Sequence, residues 1–237
     1  MIREGERRQS TNRLKPYLLF PWAADLVRYA PLLDVIEDLI GPDILVFHTT
    51  VWLKEANSES FVPWHQDATY FGLAPFEQVT AWIALTPSTR ENGCVQILPA
   101  SHREGQRPHR DQVDERALLS RGQTLSETLE EANAVDLTLE PGEVSFHHTL
   151  AKHRSAPNHS TKRRIGIGVS YIPAHVRHIG PTRLSATLVR GTNTGNHFDL
   201  ERAPDGTDGT AAAAVHLDSL ERFWRASEGI PEMAFAH

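Results

Sequence analysis

From Ile44 onward the chain is one short strand-forming run after another, and this succession does most to limit what it can fold into. Residues 44–47 and 49–53 are rich in β-branched and aromatic types, and further strands are expected at 61–65, 79–85, 95–98, 134–139, 144–148 and 165–172. Turn signals such as Asn92-Gly93 and Pro141-Gly142 separate them. Before Ile44 the apolar period is helical: Leu26, Val27, Ala30, Leu33, Ile36, Leu39 and Ile40 recur on one face until Gly41-Pro42 stops them, as one helix or as two broken at Pro31. Many short strands after N-terminal helices predict a mainly β fold with flanking helices, a double-stranded β-helix of the jelly-roll, cupin-like kind.

At 237 residues, 40% of them hydrophobic, the chain can build one large core, and a single domain is expected over 1–237. Its parts would be a helical region at about 14–42, a jelly-roll core at about 43–175, and a C-terminal loop and helix at about 190–237. A polar stretch at about 101–133 interrupts the strands; it reads as a lid-like insertion over the barrel mouth, with short helices at 115–119 and 125–131. The last helix, 211–225, carries Leu217, Leu220, Phe223 and Trp224 on one side.

The 24 Lys and Arg stand against 30 Asp and Glu, a net charge of −6, which argues against a nucleic-acid or anionic-membrane partner. The charged start and the lack of any run of about 20 apolar residues predict neither a secretory signal nor a membrane span. One cysteine, Cys94, cannot form an internal disulfide and reads as an inert core thiol, so a cytoplasmic location is expected. An edge strand or the C-terminal helix could pair two copies into a homodimer.

Chemistry gathers in three clusters: Trp64-His65-Gln66-Asp67, His153-Arg154-Ser155-Ala156-Pro157-Asn158, and Lys162-Arg163-Arg164. Two imidazoles and a carboxylate form the facial triad that suits non-haem Fe(II). His65 and Asp67 on one strand would point to one face, because side chains alternate. His-x-Asp alone is a weak signal, and 13 histidines create decoys. His147 and His148 both compete for the distal position, but His153 is preferred because Arg164 follows eleven residues later, far enough to turn and return along the neighbouring strand. Lys162 and Arg163 read as a solvated turn. Arg164 instead opens a strand face of small residues, Gly166, Gly168 and Ser170, as a cavity wall requires. Its planar fork suits a carboxylate, and Ser155 could add a hydrogen bond.

At these residues the sequence resembles the phytanoyl-CoA dioxygenase-like family of Fe(II)- and 2-oxoglutarate-dependent oxygenases. The likeness runs from about Leu14 to Leu200 and includes Gly41-Pro42-Asp43, residues 64–70, residues 80–85, Glu91-Asn92-Gly93-Cys94, residues 98–102, Pro141-Gly142-Glu143, residues 153–158 and residues 163–166. The resemblance implies that His65, Asp67 and His153 bind iron and that Arg164 holds the distal carboxylate of 2-oxoglutarate. It puts Gln66, Trp82, Ser155 and Thr80 around that co-substrate, with O2 as the oxidant, and leaves His102 a structural residue. Asp67 fills a position that halogenating relatives leave to Ala or Gly, so hydroxylation is expected. The substrate would be a small-molecule metabolite of a biosynthetic, natural-product pathway, and local positive charge at Arg103, Arg107, His109 and Arg110 leaves room for an anionic one. The alternatives are desaturation, cyclisation or epimerisation with the same cofactors, or a non-catalytic cupin-like metal-binding protein.

Overall fold

Prolines start both N-terminal helices. The computed structural model describes residues 11–228 apart from 113, 120–122 and 205. In it Pro21 and Pro31 each sit in the first turn of a helix, α1 (Pro21–Leu26) and α2 (Ala30–Ile40). Proline is tolerated there because the first N–H groups of a helix have no intrahelical partner. The chain therefore forms two helices, but the break falls at residues 27–29, ahead of Pro31. Gly41, at φ 88°, ends α2 in a conformation that other residues disfavour.

Fourteen strands follow among the described residues: β1 (Ile44–Lys54), β2 (Val62–His65), β3 (Leu73–Ala74), β4 (Val79–Ala84), β5 (Val95–Ile97), β6 (His109–Asp111), β7 (Gln123–Leu125), β8 (Val135–Leu137), β9 (Val144–His148), β10 (His153–Ser155), β11 (Arg164–Pro173), β12 (Arg177–His178), β13 (Ser185–Arg190) and β14 (Asp199–Leu200). Helix α3 (Asp67–Phe71) follows β2, and α4 (Gly209–Glu228) comes last. The strands form a six-stranded sheet, β14-β13-β1-β11-β4-β9, a four-stranded sheet, β2-β10-β5-β8, and two ribbons, β12-β3 and β6-β7. The fold is mainly β with flanking helices, and every strand expected from the sequence is present. Strands of two or three residues, β10 among them, are too short to show a period.

The helices expected at 115–119 and 125–131 are absent. Instead β6 and β7 pair antiparallel, His109 opposite Leu125 and Asp111 opposite Gln123. Gln123 and Leu125 are buried and Thr124 between them is not, a period of two that overrides the helical propensity of this stretch.

Two compact units make up the chain: among the described residues, 11–51, 72–81 and 168–228 form the first, and 52–71 and 82–167 the second. In the first, Ile44, Leu45, Val46 and Phe47 are all buried, as in a strand covered on both faces. Phe47 meets Phe198 and Phe223 edge-on, at 5.7 and 6.2 Å between ring centroids. Helix α4 buries His216, Ser219, Leu220, Phe223 and Ala226, while Leu217 is 50% exposed. The inward face is thus rotated from the one expected, because His216 and Ser219 find polar partners, Leu14 O at 2.8 Å and Glu201 at 2.7 Å. In the second unit Trp82, Ala84 and Val95 form a core cluster with Trp52, Leu137 and Leu139. No described helix is long and apolar enough to cross a membrane.

Candidate metal centre

His65 ends β2 and His153 opens β10, and the antiparallel register sets the two directly opposite each other. Facing positions across such a pair bring side chains into contact, and the ring centroids are 4.1 Å apart. Asp67 is not on the strand, as simple alternation had implied. It is the first residue of α3, two residues past His65 at the end of β2, and its Oδ1 lies 3.6 Å from His65 Nε2 and 3.8 Å from His153 Nε2.

The tautomers follow from the hydrogen bonds. His65 Nδ1 lies 2.9 Å from Pro63 O, and His153 Nδ1 lies 2.9 Å from Ala151 O. A carbonyl only accepts, so each Nδ1 carries the proton and each Nε2 turns a lone pair toward the carboxylate. Three electron-rich atoms within 4.8 Å of one another repel unless a cation stands between them. The set of two imidazoles and one carboxylate, each imidazole held from behind by a carbonyl, fits a divalent transition metal. Burial and the neighbouring His65 and His147 hold His153 well below the usual histidine range, so it stays neutral.

His147, one of the two rivals for the distal position, stands beside this group. Its ring centroid is 4.4 Å from that of His153 and its Nε2 is 3.5 Å from Asp67 Oδ2, yet neither of its buried nitrogens has a well-formed hydrogen bond. His148 is turned away: its Nδ1 accepts the Leu150 N–H at 3.1 Å, and its ring is 5.5 Å from that of His102.

Arg164 returns on β11, in the six-stranded sheet, whereas β10 belongs to the four-stranded one; the expected neighbouring strand is a strand of another sheet. Its side chain still reaches Ser155 Oγ at 3.4 Å and lies over the Trp82 ring, 5.2 Å from the centroid. Trp82 in turn fills the space above Gly166, where a Cβ would collide with the indole, so the small face of β11 seats a tryptophan at this point. Arg164 is 1% exposed, its Nε has no partner, and burial lowers its pKa to about 10.

A second buried basic side chain beside it escaped sequence reading. Lys54, the last residue of β1, donates to Ser155 Oγ at 2.7 Å, to Ser155 O at 3.0 Å and to Ala156 O. Burial, and then Arg164, lower its pKa to about 6. Among the described residues no carboxylate pairs with Lys54 or Arg164, an arrangement costly unless an anion arrives. The one signal in the sequence was a lysine closing an eleven-residue, largely apolar strand. Ser155 Oγ donates to Gly93 O at 2.7 Å; Gly93, at φ 75°, leaves no room for a side chain against Ala156 and Pro157.

Gln66 has no free polar atom. Its Nε2 donates to Gly105 O and Leu150 O, its Oε1 accepts the Arg107 N–H, and its own N–H donates to His109 Nε2. Thr80 is buried in the first unit, where Gln78 donates to its hydroxyl at 3.4 Å. Of the local positive group, Arg107 is taken up by Glu127 at 2.8 Å, and burial lowers the His109 pKa to about 4. The Cys94 thiol is pushed up to about 11 by burial and then by Asp136, as an inert thiol requires.

Among proteins of known sequence, the chain is 28% identical over 174 residues to a probable alpha-ketoglutarate-dependent hypophosphite dioxygenase of Stutzerimonas stutzeri, covering 73% of this chain and 60% of that one. It spans 60% and 58% of the first two curated relatives it matches. Among solved structures it superposes on a non-heme monooxygenase, ThoJ, with a TM-score of 0.83 and 33% identity, covering 94% of this chain and 81% of that one. A carbocyclase of nogalamycin biosynthesis, SnoK, gives a TM-score of 0.57 and 25% identity over 70% of this chain and 64% of its own. The family model of phytanoyl-CoA dioxygenase matches residues 6–166, a span that holds His65, Asp67, His153, Ser155 and Arg164, and the chain belongs to that family.

Proposed function

We propose that the protein is an Fe(II)- and 2-oxoglutarate-dependent dioxygenase that hydroxylates an unactivated carbon of a small-molecule metabolite, with release of succinate and CO2. The observation that carries this reading is the coexistence, within one compact unit, of three mutually repelling metal donors and two buried basic side chains that lack a carboxylate partner. His65, Asp67 and His153 would hold the metal. Arg164 and Lys54, steadied by Ser155, would pair with the far carboxylate of 2-oxoglutarate and hold it in one pose. Fe(II) with 2-oxoglutarate and O2 supplies the oxidising power when bound. The protein's share is to fix the donors, neutralise the dicarboxylate and keep water away, and the Trp82 indole beneath Arg164 serves the last of these.

The retained carboxylate of Asp67 favours hydroxylation within this chemistry. Cyclisation, as named for the carbocyclase relative, would use the same residues and differ only in where the substrate lies, so product mass separates the two. The fold we infer for this activity is the double-stranded β-helix, supported by non-sequential strand order in both large sheets. The direct test is an anaerobic titration with Fe(II) and then 2-oxoglutarate. A visible charge-transfer band should form in wild type and need far more 2-oxoglutarate in Arg164→Ala; iron binding with no band in wild type would remove the co-substrate from the proposal.

A further inference from the structure

Asp67 presents a positional problem that the sheet does not solve. His65 and His153 are held by the β2–β10 ladder, but Asp67 lies beyond it, so its place depends on what fixes the residues around it. Gln66, between the two ligands, is fixed on three of its atoms by the polar segment that follows β5. The Gln66 N–H donates to His109 Nε2 at 3.0 Å, its side-chain N–H to Gly105 O at 2.9 Å, and its oxygen accepts the Arg107 N–H at 2.8 Å. His109 is set for this: its Nδ1 lies 2.8 Å from Arg107 O, which keeps the proton there and the lone pair on Nε2.

The same segment grips the other ligand-bearing stretch. Lys152, immediately before His153, donates its N–H to Ser101 Oγ at 2.9 Å and its buried ammonium to Glu104 at 2.6 Å and Glu127 at 2.7 Å. Arg107 closes the network by pairing with Glu127 at 2.8 Å. One continuous network of hydrogen bonds and ion pairs thus runs from the residue between His65 and Asp67 to the residue before His153.

We propose that residues 101–109 and 123–127 form a brace for the metal centre, with His109 and Lys152 as positioning residues that set where Asp67 and His153 stand before a metal binds. The inference rests on the metal-site reading above and adds a role for a segment whose composition suggested a mobile cover. Neither residue touches the metal position; each acts through its neighbour.

Anaerobic Fe(II) titration of the full chain tests it, with the melting transition of the metal-free protein as the check on folding. His109→Phe, which fills the space and removes the acceptor, should lower Fe(II) affinity by ~10–100-fold, the usual effect of losing an outer partner. His109→Gln, whose oxygen can accept the Gln66 N–H, should recover most of it, and Lys152→Met and Lys152→Arg should form a parallel pair. Folded His109→Phe and Lys152→Met proteins that bind Fe(II) as wild type does would overturn the brace. Hydrogen exchange in metal-free wild type needs no variant: the Gln66 amide should exchange as slowly as the amides of β2, and exchange at the rate of exposed loops would also overturn it. His65→Ala separates the two levels. If it binds Fe(II) like wild type, the metal site itself fails and the brace with it, whereas loss there and none in His109→Phe refutes the brace alone.

Discussion

Two carboxylates divide the molecule between them. Glu201, in the first unit, accepts hydrogen bonds from Lys15 at 2.7 Å, Tyr17 at 2.7 Å, Ser185 at 2.8 Å, Thr187 at 2.8 Å and Ser219 at 2.7 Å. Lys15 in turn spends its other protons on Ser185 O and Ser219 Oγ. Asp67, in the second unit, faces two lone pairs; His147 beside it, and Arg164 elsewhere in that unit, keep buried nitrogens without partners. The first cluster is electrically and sterically complete, so its work is to join the N-terminal residues, β13 and α4 within the unit. The second is incomplete, and its missing charges, a cation among the donors and an anion beside Lys54 and Arg164, describe what it binds. Buried polar groups that are satisfied indicate structure; those left open indicate a ligand.

The sharpest way to break this comparison is Asp67→Ala. Succinate release should fall below detection, and Fe(II) affinity should fall by more than the ~10–100-fold expected for an outer partner, while the metal-free protein melts no lower than wild type. A large drop in melting temperature would make Asp67 as structural as Glu201. The converse substitution, Glu201→Ala, leaves Lys15 buried without a counter-charge and should cost ~3–5 kcal/mol in denaturant unfolding, with unchanged Fe(II) affinity in the molecules that remain folded.

Arg164→Met sharpens the contrast in sign. Removing an unpaired buried cation should leave the metal-free protein as stable as wild type or more so, while 2-oxoglutarate binding weakens by ~2–5 kcal/mol. Denaturant midpoints and ligand titrations read the two effects separately, and a loss of stability would mean that the Ser155 and Trp82 contacts outweigh the burial of the Arg164 charge.

A smaller effect lies in protons. Lys54 titrates at about 6 in the folded chain against 10.5 for a free lysine, so between these values the unfolded chain carries a proton that the folded one lacks. Stability of the metal-free protein should therefore rise with pH across that window, through this residue. The Glu201 carboxyl acts with the same sign at lower pH: burial opposes its ionisation, Lys15 more than offsets this, and the stabilisation is lost as pH falls through its lowered folded value. A bound dicarboxylate would favour the charged lysine. Calorimetry at pH 7.5 in buffers of different ionisation heat should then show proton uptake on 2-oxoglutarate binding, and none in Lys54→Met.

Much of the strand pattern was legible because β4, β9 and β11 are long enough to show a run of strand formers between turn signals. The pair β6–β7 was not, since both strands are short and polar in sequence, and His109 finds its partner at Gln66, 43 positions away. The same limit applies to α4, whose inward face includes His216 and Ser219, residues that hydrophobicity places outside. At the site, His65, Asp67, His153 and Arg164 stood out by type and spacing, whereas Lys54 did not, because the residue that explains it, Ser155, is 101 positions away.

What the sequence by itself determined is the chemical inventory and its order: two imidazoles, a carboxylate and an arginine on a β-rich chain, enough to name the family. Only the tertiary structure decided that Asp67 leaves the strand for a helix, that Arg164 arrives from the other large sheet with Lys54 beside it, and that the polar segment after β5 holds both ligand stretches. Residue types and periods are local properties, written in a few neighbouring positions. The burial of a charge and the partner that satisfies it are set by the whole fold.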